Sequence, residues 1–208
     1  MWQFHQNRVW MARLLAIATI LFGVIFYTVG SAIKPGYSSI RDFISELNAR
    51  GTPWAETLSW FGFVPLGLLF GSFLIASSPI ARVRGVSRIG LWLLWSQPIG
   101  FIGTALAPCD LGCPTDGSPS QIAHDFLSLT SYFAGVLAFV LLSFAPRLST
   151  SLRLFFLSAG AIWLAILIIM IQPEVADFRG LLQRLSDLVL AIGLVVIAWN
   201  MLKSAPKP

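Results

Sequence analysis

The sequence predicts an all-α integral membrane bundle of six transmembrane helices, one domain over residues 1–208 with both termini in the cytoplasm. Three observations predict it. Hydrophobic residues make up 56% of the chain and charged residues only 11%, against about 25% charged in a soluble domain. Apolar runs recur at the ~20 residues that cross a ~30 Å hydrocarbon core. The basic residues gather on alternate connections: nine (Arg8, Arg13, Arg82, Arg84, Arg88, Arg147, Arg153, Lys203, Lys207) fall on the side of the termini, and five (Lys34, Arg41, Arg50, Arg179, Arg184) on the other. The richer side is cytoplasmic, which places the chain in the cytoplasmic (inner) membrane. The net charge of +5 then reads as anchoring to anionic lipid headgroups, with no nucleic-acid partner. All nine acidic residues lie on or near the outer side.

The spans fall near 12–33, 57–78, 87–107, 122–145, 153–172 and 181–202. Trp2 and Trp10 suit the headgroup region at the start. The apolar core of the first span exceeds a cleavable signal's, so the span is expected to be retained. In the first outer loop, Ile40, Phe43, Ile44 and Leu47 repeat at helical spacing. They predict a short amphipathic helix over Ser39–Ala49, started by a Ser39/Asp42 capping box and ended by Gly51. Glu46 carries a like charge four residues after Asp42, which Arg50 can offset. The face bearing Ser45 and Glu46 is either solvated or a lid over a site.

The second span holds Gly67-x-x-x-Gly71 for close helix packing. The third is polar for its depth, with Gln97 and Thr104 sharing a face with Gly100 and a kink expected at Pro98. Gln97 is a buried helix partner or a ligand contact.

Pro108–Asp125 reads PCDLGCPTDGSPSQIAHD and holds both cysteines. In an oxidising compartment Cys109 and Cys113 are expected to form a small disulfide loop. A zinc site with His124 would lack a fourth ligand, the spacing is not that of an exchange motif, and free thiols are the remaining option; no metal is assigned. Ser118-Pro119 or Ser120 starts the fourth span, where His124, Ser128, Ser131 and Gly135 share a face. His124 is a structural hydrogen-bonder or an acid–base group, being the outer residue that titrates near neutrality. His5 lies on the other side, which excludes a di-His site. The last span opens GLLQRLSD and carries Gln183, Arg184 and Asp187 into the apolar run. Buried ionisable residues face the interior. Arg184 and Asp187 either pair with each other or serve a site.

YSSIRDFISELNARGTP, WFGFVPLGLLFGSF, APCDLGCP, the lone His124 and FRGLLQRLSD together resemble the domain-of-unknown-function 998 family of small polytopic bacterial and archaeal membrane proteins. The likeness covers roughly 37–202. A fainter similarity exists to the Frag1/DRAM/Sfk1 proteins. The resemblance implies the six-span outline and no established activity. It points to Ser45, Glu46, Asp110, His124, Gln183 and Arg184, which the topology brings to the outer side.

Three functions fit. The first is a module that binds a lipid, quinone or other hydrophobic cofactor, or an accessory subunit beside other membrane subunits, with membrane lipids as partners. Arg184, Gln183, Asp110 and Gln97 would be its ligand contacts. The second is an outer-leaflet enzyme on lipid headgroups or isoprenoids. There His124 is the acid–base group, Glu46 or Asp187 its partner, and Ser45 the nucleophile. The third is a small transporter, which would use deep polar residues such as Gln97.

Overall fold

The computed structural model describes residues 2–202, with side chains from residue 6 onward. The expected headgroup and cytoplasmic positions of Trp2, His5, Lys203 and Lys207 concern side chains outside the described residues.

Among the described residues, six helices are long and apolar enough to cross a membrane: α1 (Gln6–Ile33), α2 (Ala55–Ser77), α3 (Val86–Leu106), α4 (Pro119–Leu142), α5 (Thr150–Met170) and α6 (Pro173–Met201). The chain is a multi-pass helical membrane protein. Helices are the form in which a lipid-exposed backbone satisfies its own polar groups. Each helix packs on the next, and α6 returns sparsely to α1. Large apolar side chains such as Leu21, Ile75, Phe133 and Ile168 stay exposed around the outside, as a lipid-facing surface requires.

The helix ends follow local chemistry. Ser118 caps α4 by accepting from the Gln121 amide, with Pro119 in the first turn; Ser149 caps α5 through the Leu152 amide. Proline accounts for the break in α3, which stops at Leu93 and resumes at Ser96. Pro98 has no N–H for the Leu94 carbonyl, and its ring crowds that oxygen. In α2 a π turn at Ser59–Phe63 precedes Pro65. Gly67 lets α2 meet α3 closely, since a Cβ there would come within 2.9 Å of the Pro98 carbonyl.

Loops 34–54, 107–118 and 171–172 close one end of the bundle, here called the capped face. The larger core cluster includes Phe73, Phe139, Phe156 and Leu194; a smaller one (Phe26, Ile44, Leu47, Phe63) sits under the capped face. At the opposite face Arg13 Nε donates to the Ala198 carbonyl at 3.2 Å and stacks over Trp199.

The first loop departs from the helix expected over Ser39–Ala49. It holds a 3₁₀ turn at Ile44–Asn48 only. The carbonyls that an α-helix would use are taken by other partners. The Leu181 and Gly180 amides donate to Ile40 and Arg41 carbonyls at 2.9 and 3.2 Å. The Tyr37 hydroxyl donates to the Phe43 carbonyl at 2.9 Å. Ile44 and Leu47 point inward as the spacing predicts, whereas Ile40 is exposed. The cap also differs: Glu46, not a Ser39/Asp42 box, accepts from the Phe43 amide at 3.0 Å.

Candidate functional site

The capped face is knitted from three segments. Lys34 is buried at the end of α1, and its ammonium donates to the Glu46 carbonyl (2.6 Å), the Leu47 carbonyl (3.2 Å) and Thr52 Oγ1 (2.6 Å). Burial pushes its pKa down, against the negative charges of Glu46 and Asp42. Gly180 lets α6 abut the first loop, because a Cβ there would collide with the Asp42 carbonyl. Gln183 Oε1 then accepts from the Ile44 amide at 2.5 Å. These contacts give Gly180 and Gln183 their place in the first half of α6.

Cys109 and Cys113 form a disulfide, with Cα atoms 5.2 Å apart. Ser45 Oγ lies 3.5 Å from Cys113 Sγ, and the Arg50 amide donates to the Cys109 carbonyl at 2.8 Å. His124 is buried, and its Nδ1 lies 3.0 Å from the Ala107 carbonyl. A carbonyl accepts only, so Nδ1 carries the proton. The ligand atoms of Cys109, Cys113 and His124 lie within 4.8 Å of one another. Joined as a disulfide, the sulfurs are not the thiolates that bind metal. Asp110 accepts from the Ser118 amide (2.7 Å) and hydroxyl (2.9 Å) and faces Arg50 at 3.6 Å. Those hydrogen bonds, then Arg50, hold its carboxyl below the usual range. Glu46 moves the other way. Burial raises it, although the Phe43 and Gly112 amides oppose the shift. Burial also raises Asp42, but Arg41 and the Ser38 amide together bring it below the usual range. Arg50 therefore serves Asp110, and not Glu46 as the helical spacing suggested.

Below this face lie two neighbouring spaces. A groove of about 450 Å³ runs between α1 and α6, floored by Leu66 and Phe70 of α2. Its walls are mostly apolar, and Val24 and Leu188 on its rim are exposed to the bundle exterior. Its polar residues include Tyr27, Ser31, Arg184 and Asp187. Beside it is a smaller chamber of about 60 Å³, whose polar lining includes Ser45, Gln97, Thr104, Ser128, Ser131 and Gln183. Tyr27, Phe101 and Asp187 line both.

Arg184 and Asp187 do not pair, contrary to what their spacing allows. Arg184 Nη2 donates to the Tyr37 hydroxyl (2.8 Å) and Ser31 Oγ (3.3 Å), and Nη1 to the Gly180 carbonyl (3.0 Å). Asp187 Oδ2 accepts from the Tyr27 hydroxyl at 2.7 Å. Neighbours on α1 and the first loop outcompete the i, i+3 partner. Gln97 Nε2 donates to the Ser131 carbonyl at 2.8 Å.

Of the residues singled out from sequence, Ser45, Gln97, Gln183 and Asp187 meet in the chamber, and Arg184 faces the groove. Glu46, Asp110 and His124 stay in the capped face. His124 is turned to Ala107 and Ser45 to Cys113, so the two do not form a nucleophile–base pair. Sequence reasoning missed Tyr27, Ser31, Tyr132 and Trp163. An isolated Tyr, Trp or Ser within an apolar run was their only signal.

No solved structure matches the chain. A family model described as "Protein of unknown function (DUF998)" matches residues 15–200. The chain belongs to this family.

Proposed function

We propose that this protein is a membrane-embedded binding module that takes an amphipathic molecule laterally from the bilayer into the α1–α6 groove. The observation that carries the reading is the groove itself. Its volume of about 450 Å³ falls in the ~300–1,000 Å³ range of small-molecule sites. Its rim meets the lipid-facing surface, its walls suit an apolar chain, and polar groups that can orient a head, among them Tyr27, Ser31, Arg184 and Asp187, lie along it. The capped face is external in this reading. The excess of basic residues on the opposite side and the disulfide, which persists in an oxidising compartment, support that placement in the cytoplasmic membrane. The bound form then acts alone or as a subunit that presents the molecule to other membrane proteins.

The test is native mass spectrometry of the protein released gently from its own membrane. The wild type should carry one amphipath. Ala191→Trp, which fills the groove and leaves every polar group in place, should arrive bare. A wild type that arrives bare, or equal occupancy in the variant, would sink the reading.

A further inference from the structure

We propose that Cys109, Cys113 and His124 form, once their disulfide is reduced, a site on the capped face for one soft monovalent metal ion, copper(I). The first observation is convergence. The two sulfurs and a His124 ring nitrogen lie within 4.8 Å of one another, although His124 comes from α4 and the cysteines from the loop before it. Bonds of about 2.0–2.3 Å to sulfur and nitrogen set the ligand atoms of one ion about 4 Å apart. Cysteine Cα atoms 5.2 Å apart leave released sulfurs room for that spacing.

The second observation is that hydrogen bonds independent of the sulfurs hold these residues together. The Cys113 amide donates to the Asp110 carbonyl at 2.9 Å and closes a turn. The Asp110 amide donates to Gln121 Oε1 (2.8 Å) and the Ser120 hydroxyl to the Pro108 carbonyl (2.7 Å), which fastens the loop to the first turns of α4. The Arg50 amide holds the Cys109 carbonyl from the other side at 2.8 Å. The loop therefore stays beside His124 when the disulfide opens, and a disulfide across so short a loop adds little to stability. The third observation is the imidazole. Its Nδ1–H donates to the Ala107 carbonyl at 3.0 Å, which leaves the lone pair on Nε2. Metal-binding histidines donate their other N–H in this way.

Two thiolates and an imidazole suit copper(I) and zinc, but zinc wants a fourth ligand. The carboxylates of the capped face have donors of their own: Asp110 accepts from Ser118, Asp125 from Gln121 and Glu46 from the Phe43 amide. Ser45, near Cys113, offers a neutral hydroxyl. Copper(I) is complete with three ligands. Access favours Cys113, which is half-buried between exposed Gly112 and Pro114, whereas Cys109 is fully buried. A thiolate of an incoming dithiol attacks Cys113 Sγ and expels the Cys109 thiolate; its second thiolate resolves the mixed disulfide and frees Cys113. The dithiol leaves as a disulfide, having supplied two electrons and two protons. The protons depart when copper(I) binds, and the copper keeps its oxidation state.

The test uses the full chain in lipid nanodiscs, either as the disulfide or after reduction by a dithiol that is removed without air. Copper(I) is then added against a chromogenic copper(I) chelator. The reduced wild type should retain one copper(I) per chain and the disulfide form none. X-ray absorption at the copper edge should show two sulfur neighbours and one nitrogen. Cys113→Ser should abolish retention. His124→Asn should weaken it about tenfold or more, since loss of an outer partner alone does as much. A reduced wild type that retains no copper(I), a disulfide form that retains as much, or a copper shell without nitrogen overturns the proposal. Displacement of the copper(I) by equimolar zinc overturns the choice of ion. The two forms of the wild type and the absorption spectrum decide the matter even if a variant fails to fold.

Discussion

The Tyr27 hydroxyl donates to Asp187 Oδ2 at 2.7 Å, across 160 residues of sequence. The bond ties α1 to α6 where those helices otherwise part to form the groove, and both residues line the groove and the chamber. Tyr27→Phe removes the donor and leaves a half-buried carboxyl group short of a partner. The expected loss is about 1–3 kcal/mol, read as a lower Tm in detergent micelles. Asp187→Asn keeps an acceptor for Tyr27 and should cost less. Equal losses would show that the charge, and not the hydrogen bond, is what matters there.

Gly180 sets how closely α6 approaches the first loop. A methyl group would strike the Asp42 carbonyl and crowd the Ser39 carbonyl, which a Cβ would approach to 2.8 Å. Gly180→Ala should therefore destabilise by about 1–3 kcal/mol, as overpacking does. Hydrogen exchange checks it: the Leu181 and Ile44 amides, bonded to Ile40 and Gln183, should lose protection together. Unchanged protection would refute the close approach.

Lys34 holds the far end of the same loop. Lys34→Met leaves the Glu46 and Leu47 carbonyls and Thr52 without their donor. A loss of about 1–3 kcal/mol is expected, the cost of unsatisfied buried groups. Limited proteolysis between residues 38 and 54 should accelerate well before the bundle unfolds. A loop that remains resistant would mean that α6 alone secures it.

The capped face should respond to acid in two opposing ways. Asp110 is held below its ordinary pKa, so its stabilisation is present above about pH 3.9 and is lost as pH falls through the lowered value. The Tm gap between wild type and Asp110→Asn should be constant near neutrality and close below about pH 3.9. Glu46 is raised, so its ionisation opposes folding. Its favourable contribution is present below about pH 4.3 and is lost as pH rises through the raised value. Glu46→Gln, whose amide oxygen can still accept from Phe43, should be the more stable protein at pH 7, with the gap closing on acidification. Parallel pH profiles for the two variants would contradict these assignments.

The spans were legible because the bilayer imposes their length and apolarity on the sequence. So was the shared face of Gln97, Gly100 and Thr104, since helical periodicity alone brings them together, and all three line the chamber. The first loop was not legible. Its apolar spacing is helical, but the amides of Gly180 and Leu181, far along the chain, claim its carbonyls. For the same reason Arg184 and Asp187 looked like partners. Local spacing cannot show that Tyr37 and Tyr27 arrive from elsewhere to take their places. Trp163 reads as one more aromatic in an apolar run, and its unpaired indole exists only in three dimensions.

The central claim is that the α1–α6 groove holds an amphipath drawn from the bilayer. Photo-crosslinking in the native membrane with a diazirine-bearing acyl chain tests it most directly. Adducts should concentrate on groove residues such as Val24, Leu188 and Ala191, and should vanish from them in Ala191→Trp. Labelling spread evenly over exposed positions such as Leu68, Leu157 and Ile168, and unchanged in the variant, would show that the groove is only part of the lipid-facing surface.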